Sequence, residues 1–150
     1  MRNPFFAERT LAEALQAQSA SRFFSRGSIL FSQGQSPFGI FVIRSGRASL
    51  FMRADNGLEI AHFNVGAGSI LGLPAVVARR PYTLSAKADE PLEVSCVSLE
   101  DYERLIHEQP SLYPSVLDVL AAEVRSARTA LTNCWKNGES DPRLASYITQ

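Results

Sequence analysis

A glycine-rich run, Gly66-Ala67-Gly68-Ser69-Ile70-Leu71-Gly72, is the first candidate for ligand chemistry in this sequence. Loops of this kind can bind phosphate, because glycines allow backbone N–H groups to approach the anion closely. The last interval between glycines, however, is one residue longer than in a dinucleotide-binding fingerprint. Pro74 follows almost at once, and no helix-then-strand unit comes after it. The pattern therefore argues against a dinucleotide site.

Residues that could act as nucleophiles, acids, bases or metal ligands are few and scattered. His62 lies in a predicted strand and His107 at the end of a predicted helix, and neither has a cysteine at metal-ligand spacing. The acidic residues form no pair suited to general acid–base catalysis. The sequence also lacks the G-x-S-x-G motif of a serine hydrolase. We therefore predict that the chain is not an enzyme and binds no metal.

The amino-acid composition restricts the classes of protein to which this chain can belong. Of 150 residues, 45% are hydrophobic and 20% are charged, which predicts a folded domain. Fifteen basic residues balance fifteen acidic ones, so a nucleic-acid surface based on bulk positive charge is not expected. No apolar run reaches the roughly 18 residues that span a bilayer, and no signal peptide is evident. The two cysteines are too few for a disulfide scaffold. We therefore expect a cytoplasmic domain that does not associate with membranes.

The predicted secondary structure that would position a site changes along the chain from helix to strands. Residues 4–20 have apolar side chains at helical spacing. From Phe23 to about Ser98, short alternating runs are separated by turns, and Asn56-Gly57 is a strong hairpin signal. The predicted strands are Ser28–Ser32, Gly39–Arg44, Ala48–Met52, Leu58–Phe63, Thr83–Ala88 and Leu92–Val97. This spacing predicts a mainly β fold, a β-roll of jelly-roll type flanked by helices.

Beyond Ser98 the pattern is helical. Ser98 is positioned to cap a short helix, Leu99–His107, which Pro110 ends, and a longer helix begins at Ser111 and stops at Asn137-Gly138. Apolar residues recur along it at alternating intervals of four and three: Tyr113, Leu117, Leu120, Val124, Ala127, Leu131 and Cys134. This coiled-coil seam predicts pairing with a second copy of the chain, and the alternative is packing on its own β-domain. The predicted domains are thus a roll (1–110), a dimerisation helix (111–138) and a hinge (139–150).

Glycines and aliphatic residues among the predicted strands form a longer frame. The frame reads Gly27-x-x-Leu30-Phe31-x-x-Gly34, Ile40-Phe41-Val42-Ile43-x-Ser45-Gly46-x-Ala48, Gly66-x-Gly68-x-x-x-Gly72 and Ala86-Lys87-Ala88. This arrangement resembles the cyclic nucleotide-binding domain family, in particular the effector domains of bacterial transcription regulators like the catabolite activator protein. The resemblance covers nearly the whole chain and implies a β-roll with helices before and after it.

The resemblance implies one phosphate-binding cassette, which contains a glycine, a glutamate, a short helix, an arginine and a small residue. Helix N–H groups and a guanidinium group favour an anion, and the carboxylate accepts a hydrogen bond from ribose. In this chain Leu73 stands at the glutamate position and Tyr82 at the arginine position. The remaining cassette positions match in type: Gly72, Ala75, Val76 and Thr83. With both charged groups replaced, we expect ordinary cyclic AMP binding to be weak or lost.

Several other residues could compensate for the altered cassette. Arg79 or Arg80 could supply the missing charge, with the alternative that both are solvated loop residues. Tyr82 could close the pocket as a ring or bind a different ligand through its hydroxyl. The base-reading positions of the family fall on Ala127 and Arg128, and Arg128 could face an acidic ligand or water. No cofactor is assigned, and the effector stays open between a cyclic nucleotide and another small molecule.

Two functional hypotheses follow from these residues. The first is a regulatory domain that senses a ligand, dimerises through the seam and transmits the signal along its long helix. The second is a degenerate roll that has lost its ligand and serves as a dimerisation or docking module. The stretch Asp141–Ile148 looks like the start of a helix-turn-helix domain, so we expect DNA binding only through a further C-terminal domain.

Overall fold

The computed structural model describes residues 9–137, with side chains described from Leu11 to Arg125. Within residues 9–137, a short 3₁₀ helix, Pro110–Leu112, precedes the last of four α-helices. The elements are α1 (Arg9–Ala17), β1 (Ala20–Phe24), β2 (Ile29–Phe31), β3 (Gly39–Ser45), β4 (Ala48–Arg53), β5 (Glu59–Val65), β6 (Ile70–Leu71), α2 (Leu73–Ala78), β7 (Ser85–Ala88), β8 (Leu92–Ser98), α3 (Leu99–Glu108) and α4 (Tyr113–Asn137).

The strands form two four-stranded antiparallel sheets, in the orders β1-β8-β3-β6 and β2-β7-β4-β5. Side chains from both sheets meet in the first core cluster, which we call the roll interior. Its buried members are Leu30, Phe31, Phe41, Ile43, Ala48, Leu50, Val65, Leu71, Ala75, Tyr82, Ala86, Ala88, Leu92 and Val94. The expected β-roll with flanking helices is confirmed.

A second core cluster, the helix-side cluster, lies on the outer face of the β1-containing sheet. Strand β3 supplies both clusters, because successive side chains of a strand point to opposite faces. Phe41 and Ile43 enter the roll interior, whereas Ile40 and Val42 pack with Leu11 of α1 and with residues of α3. This double burial explains why Gly39–Arg44 is an apolar run rather than an alternating one.

The predicted boundaries differ from the observed ones mainly at strand ends. Ser98 caps α3 as expected, since its side chain accepts a hydrogen bond of 3.1 Å from the backbone N–H of Asp101. Strands β1 and β6 were not among the predicted strands. The ASRFF sequence of β1 is mostly exposed, and β6 has two residues, so neither has a periodicity that sequence inspection can detect.

Candidate functional site

The cassette begins where the backbone turns from β6 into α2. Gly72 precedes α2 with φ 85°, a left-handed conformation that glycine adopts without strain. Pro74 lies in the first turn, where its missing N–H would have no partner within the helix. The helix ends after six residues at Arg79, which also has positive φ, at 53°. Local sequence thus determines the start of the cassette helix.

Tyr82, which the resemblance puts at the arginine position of the cassette, is buried in the roll interior. Its hydroxyl donates a hydrogen bond of 2.7 Å to the carbonyl oxygen of Gly39. The same hydroxyl accepts hydrogen bonds of 3.2 Å from the N–H groups of Phe38 and Gly39. The ring stacks on Phe31 at 4.1 Å between centroids and meets Phe38 edge-on at 5.6 Å. Every polar group of this phenol is therefore satisfied by the protein itself.

The main chain of Tyr82 is anchored as firmly as its side chain. Its N–H donates to the carbonyl oxygen of Gln35 at 2.9 Å, and its carbonyl accepts from Gly34 at 2.8 Å. Burial raises the pKa of the phenol above its ordinary value, although the two backbone donors, Phe38 and Gly39, act in the opposite direction. Tyr82 therefore stays a neutral hydrogen-bond donor and contributes no charge for an anionic ligand.

Gly72 and Tyr82 are in close contact across the cassette. A Cβ atom added at Gly72 would lie 2.9 Å from Cε1 of Tyr82 and 3.2 Å from the carbonyl oxygen of Gly39. A side chain of the protein itself therefore packs directly against the backbone of Gly72. In this arrangement the ring of Tyr82 occupies the space beside the glycine backbone.

The structure separates the cassette residues that the sequence had grouped. Ala75 packs in the roll interior with Tyr82, whereas Leu73 and Val76 belong to the helix-side cluster. Leu73 and Tyr82, which the resemblance assigns to one cassette, therefore lie in different core clusters. Neighbouring positions of a helix point in different directions, and α2 lies at the border of the two clusters.

The two arginines that could have replaced the cassette charge lie at the surface. Arg79 forms an ion pair with Glu103 of α3, and its side chain is two-thirds exposed. Arg80 is exposed, and its N–H donates to the carbonyl oxygen of Ala75 at 3.1 Å. Thr83 is exposed as well. In this structure none of the three joins the buried cluster around Tyr82.

The described part of helix α4 carries two separate apolar stripes. Leu112, just before the helix, and Val116 and Val119 are buried in the helix-side cluster. Three of the predicted seam residues are instead exposed: Tyr113 by 49%, Leu117 by 60% and Val124 by 58%. Leu120 is half-buried at the edge of the same cluster. The alternative that the seam packs on its own roll is wrong for these exposed residues, because another stripe has that role. The side chains of Ala127, Arg128, Leu131 and Cys134 lie outside the described residues.

Sequence inspection did not identify Glu123 as a notable residue, but the structure does. This side chain on α4 is buried, and neither carboxylate oxygen has a hydrogen-bond partner among the side chains described, residues 11–125. Burial alone raises the pKa of its carboxyl group to about 8. The only sequence signal was its position, seven residues after Val116 on the buried stripe of the helix.

Three further properties of the described residues concern membranes, metals and the cysteine. Among residues 9–137, no helix is long and apolar enough to cross a membrane. The same part of the chain contains no group of three or more histidine, cysteine or acidic side chains placed to hold a metal ion. Cys96 is a free thiol in β8, and burial raises its pKa, so its reactive thiolate form is disfavoured.

Comparison with known proteins agrees with this fold. The chain is 29% identical over 129 residues to the transcriptional activator protein Anr of Pseudomonas aeruginosa, covering 85% of this chain and 51% of that protein. It is 27% identical over 106 residues to the cyclic AMP receptor protein of Thermus thermophilus, covering 71% and 49%. The chain thus spans about half the length of the curated relatives that it matches.

Solved structures give the same architecture. The Thermus thermophilus catabolite activator protein superposes with a TM-score of 0.72 at 24% identity, covering 87% of this chain and 62% of that one. The sensor domain of the regulator DNR from Pseudomonas aeruginosa superposes with a TM-score of 0.62 at 19% identity, covering 75% of each. At these identities the likeness concerns the fold. A family profile for the cyclic nucleotide-binding domain matches residues 21–109, and the chain therefore belongs to the cyclic nucleotide-binding domain family.

Proposed function

We propose that this chain is the regulatory domain of a transcription regulator, that it acts as a homodimer, and that it does not bind cyclic nucleotides through the usual cassette. The position of Tyr82 supports the claim about the cassette. Its ring fills the space beside Gly72, and its hydroxyl makes three hydrogen bonds to the backbone of Phe38 and Gly39. A nucleotide at this position would have to displace the ring from Phe31 and break three hydrogen bonds.

The charges of the site support the same proposal. A cyclic phosphate needs a cation, and a charge-assisted hydrogen bond of this kind contributes about 1.5–3 kcal/mol. Tyr82 offers a neutral phenol, while Arg79 is engaged with Glu103. Leu73 supplies no acceptor for a ribose hydroxyl and is buried in the helix-side cluster. An anionic ligand would therefore meet an apolar, aromatic interior.

The regulatory role rests on the relatives and on helix α4. The two curated relatives described above are named as a transcriptional activator and a cyclic AMP receptor protein, not as enzymes, and this chain matches about half of each. The exposed seam of α4 offers a dimerisation surface that the roll leaves uncovered. DNA binding is assigned to a further domain, because the described residues contain no recognition helix and the net charge is zero.

Thermal unfolding with cyclic AMP, cyclic GMP and cyclic di-GMP at millimolar concentration tests the proposal. A ligand at a hundred times its Kd adds about 2.7 kcal/mol to the stability of the folded state. That would raise Tm on the order of 2–8 °C for a domain of this size. We expect no shift with any of the three.

A shift that disappears in Arg79→Ala or Arg80→Ala would contradict the proposal, since it would mean that a displaced arginine rebuilds the cassette. Arg53→Ala is the matched control, because Arg53 lies in β4 and stacks over Phe51. A shift that all three variants retain would place the nucleotide elsewhere in the domain and would be consistent with an unused cassette.

A second candidate function is sensing of a small apolar effector that displaces Tyr82. The position of Phe38 favours this function, because its side chain is 38% exposed at the surface and also contacts the ring of Tyr82. Opening the site with Tyr82→Ala should then increase the affinity for small aromatic compounds in the same thermal assay. If indole and benzoate stabilise neither the wild type nor Tyr82→Ala, the role of a ligand-free dimerisation module is favoured.

A further inference from the structure

Helix α4 buries a carboxyl group that has no polar partner among the described side chains. Glu123 lies four residues after Val119 and seven after Val116, on the stripe of α4 that packs in the helix-side cluster. Its side chain is buried, and within residues 11–125 neither carboxylate oxygen finds a hydrogen-bond partner. Burying an ionised carboxylate without a partner costs far more free energy than burying the neutral acid. The packed position of α4 therefore favours the protonated form of Glu123.

The elements packed around α4 provide no charge that offsets this burial. Strand β5, along which α4 packs, carries Glu59 and His62, which are exposed and pair with each other at 3.1 Å. The 3₁₀ helix Pro110–Leu112 carries no titratable side chain. Helix α3 contributes Tyr102 to the helix-side cluster, where burial, with a smaller effect of Tyr113, raises the pKa of the phenol to about 12. This tyrosine therefore stays neutral.

The other charged side chains on the described parts of α1, α3 and α4 are exposed or half-buried. They are Glu13, Glu100, Asp101, Glu103, Arg104, His107, Glu108, Asp118 and Arg125. Asp101 pairs with Arg104, and Glu103 pairs with Arg79. None of these charges contributes to the raised pKa of Glu123, because burial alone accounts for it.

The roll interior does not depend on α4. Among the described residues, this cluster contains none from α4. The helix places Val116 and Val119 in the helix-side cluster, while its other stripe, with Leu117 and Val124, is exposed. Segments with few buried apolar contacts open at a lower free energy than the core of a domain. Helix α4 can therefore separate while the two sheets stay intact.

We propose that the packing of α4 against the domain is coupled to protonation of Glu123, so that the helix stays packed while the carboxyl group is neutral and separates when the group ionises. The coupling adds a pH-sensitive step to the proposed regulatory domain, in the element that carries the exposed seam. A single chain binds the proton, and the inference therefore does not rest on the proposed dimer.

The direction of the pH effect follows from the two states of Glu123. Its pKa is about 8 with α4 packed and returns toward the ordinary value of 4.5 when the helix exposes the carboxyl group to water. Packing is therefore strongest below the lower value. Between the two values, the ratio of packed to separated helix falls about tenfold for each pH unit, and above the higher value it levels off.

Amide hydrogen exchange of residues 116–125 at pH 6, 7 and 8, corrected for the intrinsic exchange rate at each pH, measures how often α4 separates. Most of the stability of a protein helix comes from its packing, so these amides exchange once packing is lost. We expect wild-type protection to fall about tenfold for each pH unit. Protection in Glu123→Gln, which has the same size and no charge, should stay constant. Carbon-13 NMR of the Glu123 carboxyl group should give a titration midpoint of about 8.

Glu123→Leu is a second variant, because an unpartnered glutamine amide at a buried position could itself loosen the helix. Leucine removes the charge and the polar atoms, so α4 should stay packed at all three pH values. His62→Gln and Asp118→Asn are the matched controls. They remove a titrating group from β5 and from the exposed face of α4, and both should keep the wild-type pH dependence.

Constant protection in the wild-type chain, a pH dependence that persists in Glu123→Leu, or its loss in His62→Gln would overturn the coupling. A carboxyl midpoint near the ordinary value would do the same. Equal loss of protection in β3 and α4 would also overturn it, because the domain would then unfold in one step. A chain that stays monomeric, or a Tm shift with a cyclic nucleotide, would contradict the proposed function and leave the proton coupling unaffected.

Discussion

The hydroxyl oxygen of Tyr82 lies 2.7 Å from the carbonyl oxygen of Gly39, so a side chain from the cassette is hydrogen-bonded to the first residue of β3. The bond joins two segments that are 43 residues apart in the chain. In the family resemblance the same position carries an arginine for the ligand. Here the position stabilises the roll instead, and this difference can be measured.

Removing the ring or the hydroxyl of Tyr82 should destabilise the domain by different amounts. Tyr82→Ala should cost about 3–5 kcal/mol, because it leaves a cavity beside Phe31. Tyr82→Phe should cost about 1–3 kcal/mol, because it leaves the carbonyl of Gly39 and two N–H groups without their partner. Urea unfolding at a chain concentration too low for dimerisation gives both values, and Tyr113→Phe, exposed in the single chain, should be nearly neutral there. Equal effects of Tyr82→Phe and Tyr113→Phe would show that the buried hydrogen bonds contribute little.

Gly72→Ala should destabilise the domain more than Gly57→Ala. Both glycines have positive φ, 85° and 87°, so alanine is strained at either position by about 1–2 kcal/mol. Only at Gly72 would the new Cβ also meet Tyr82, whereas the space around Gly57 is open. The difference between the two variants in urea unfolding isolates that contact. A difference near zero would mean that Tyr82 moves aside without cost.

Leu117→Asp should convert a dimer into a monomer without unfolding the roll. The side chain is 60% exposed in the single chain, so a charge there costs little until a second helix covers it. Light scattering gives the mass, and circular dichroism confirms folding. Phe23→Asp is the matched control, because Phe23 on β1 is 75% exposed but lies outside the seam. A dimer that survives Leu117→Asp would place the interface elsewhere.

The stability of the monomeric Leu117→Asp chain should fall as pH rises from about 5 to 8. The pKa of Glu123 is about 8 in the folded chain, against an ordinary value of 4.5, so folding retains a proton that the unfolded chain releases. Stability is therefore highest below the unfolded pKa and declines by about 1.4 kcal/mol for each pH unit up to the folded pKa. Glu123→Gln in the same background removes the titrating group.

Urea unfolding at several pH values measures this slope with and without Glu123. The difference between the two chains isolates Glu123 from the other titrating residues. Parallel slopes in the two chains would show that the carboxyl is hydrated in solution.

The sequence by itself was sufficient for the class of fold. Glycine-punctuated strands, the Asn56-Gly57 turn and the Ser98 cap are local signals, because each depends on backbone conformation within a few residues. The start of the cassette helix is also a local signal, because Gly72 permits the left-handed turn and Pro74 is tolerated in the first turn. That Leu73 and Tyr82 stand at the glutamate and arginine positions of the cassette is what the family resemblance implies, and it stays a prediction.

Only the tertiary structure decided which way the side chains point. Leu73 at the start of α2 packs in the helix-side cluster, whereas Tyr82, in the segment after α2, packs in the roll interior. Strand β1 exists because Ala20 pairs with Cys96, a partner far along the chain. Glu123 has the sequence appearance of a solvated helix residue, yet the packing of α4 buries its carboxylate. Periodicity defines the faces of a helix, but contacts between distant segments determine which face is covered.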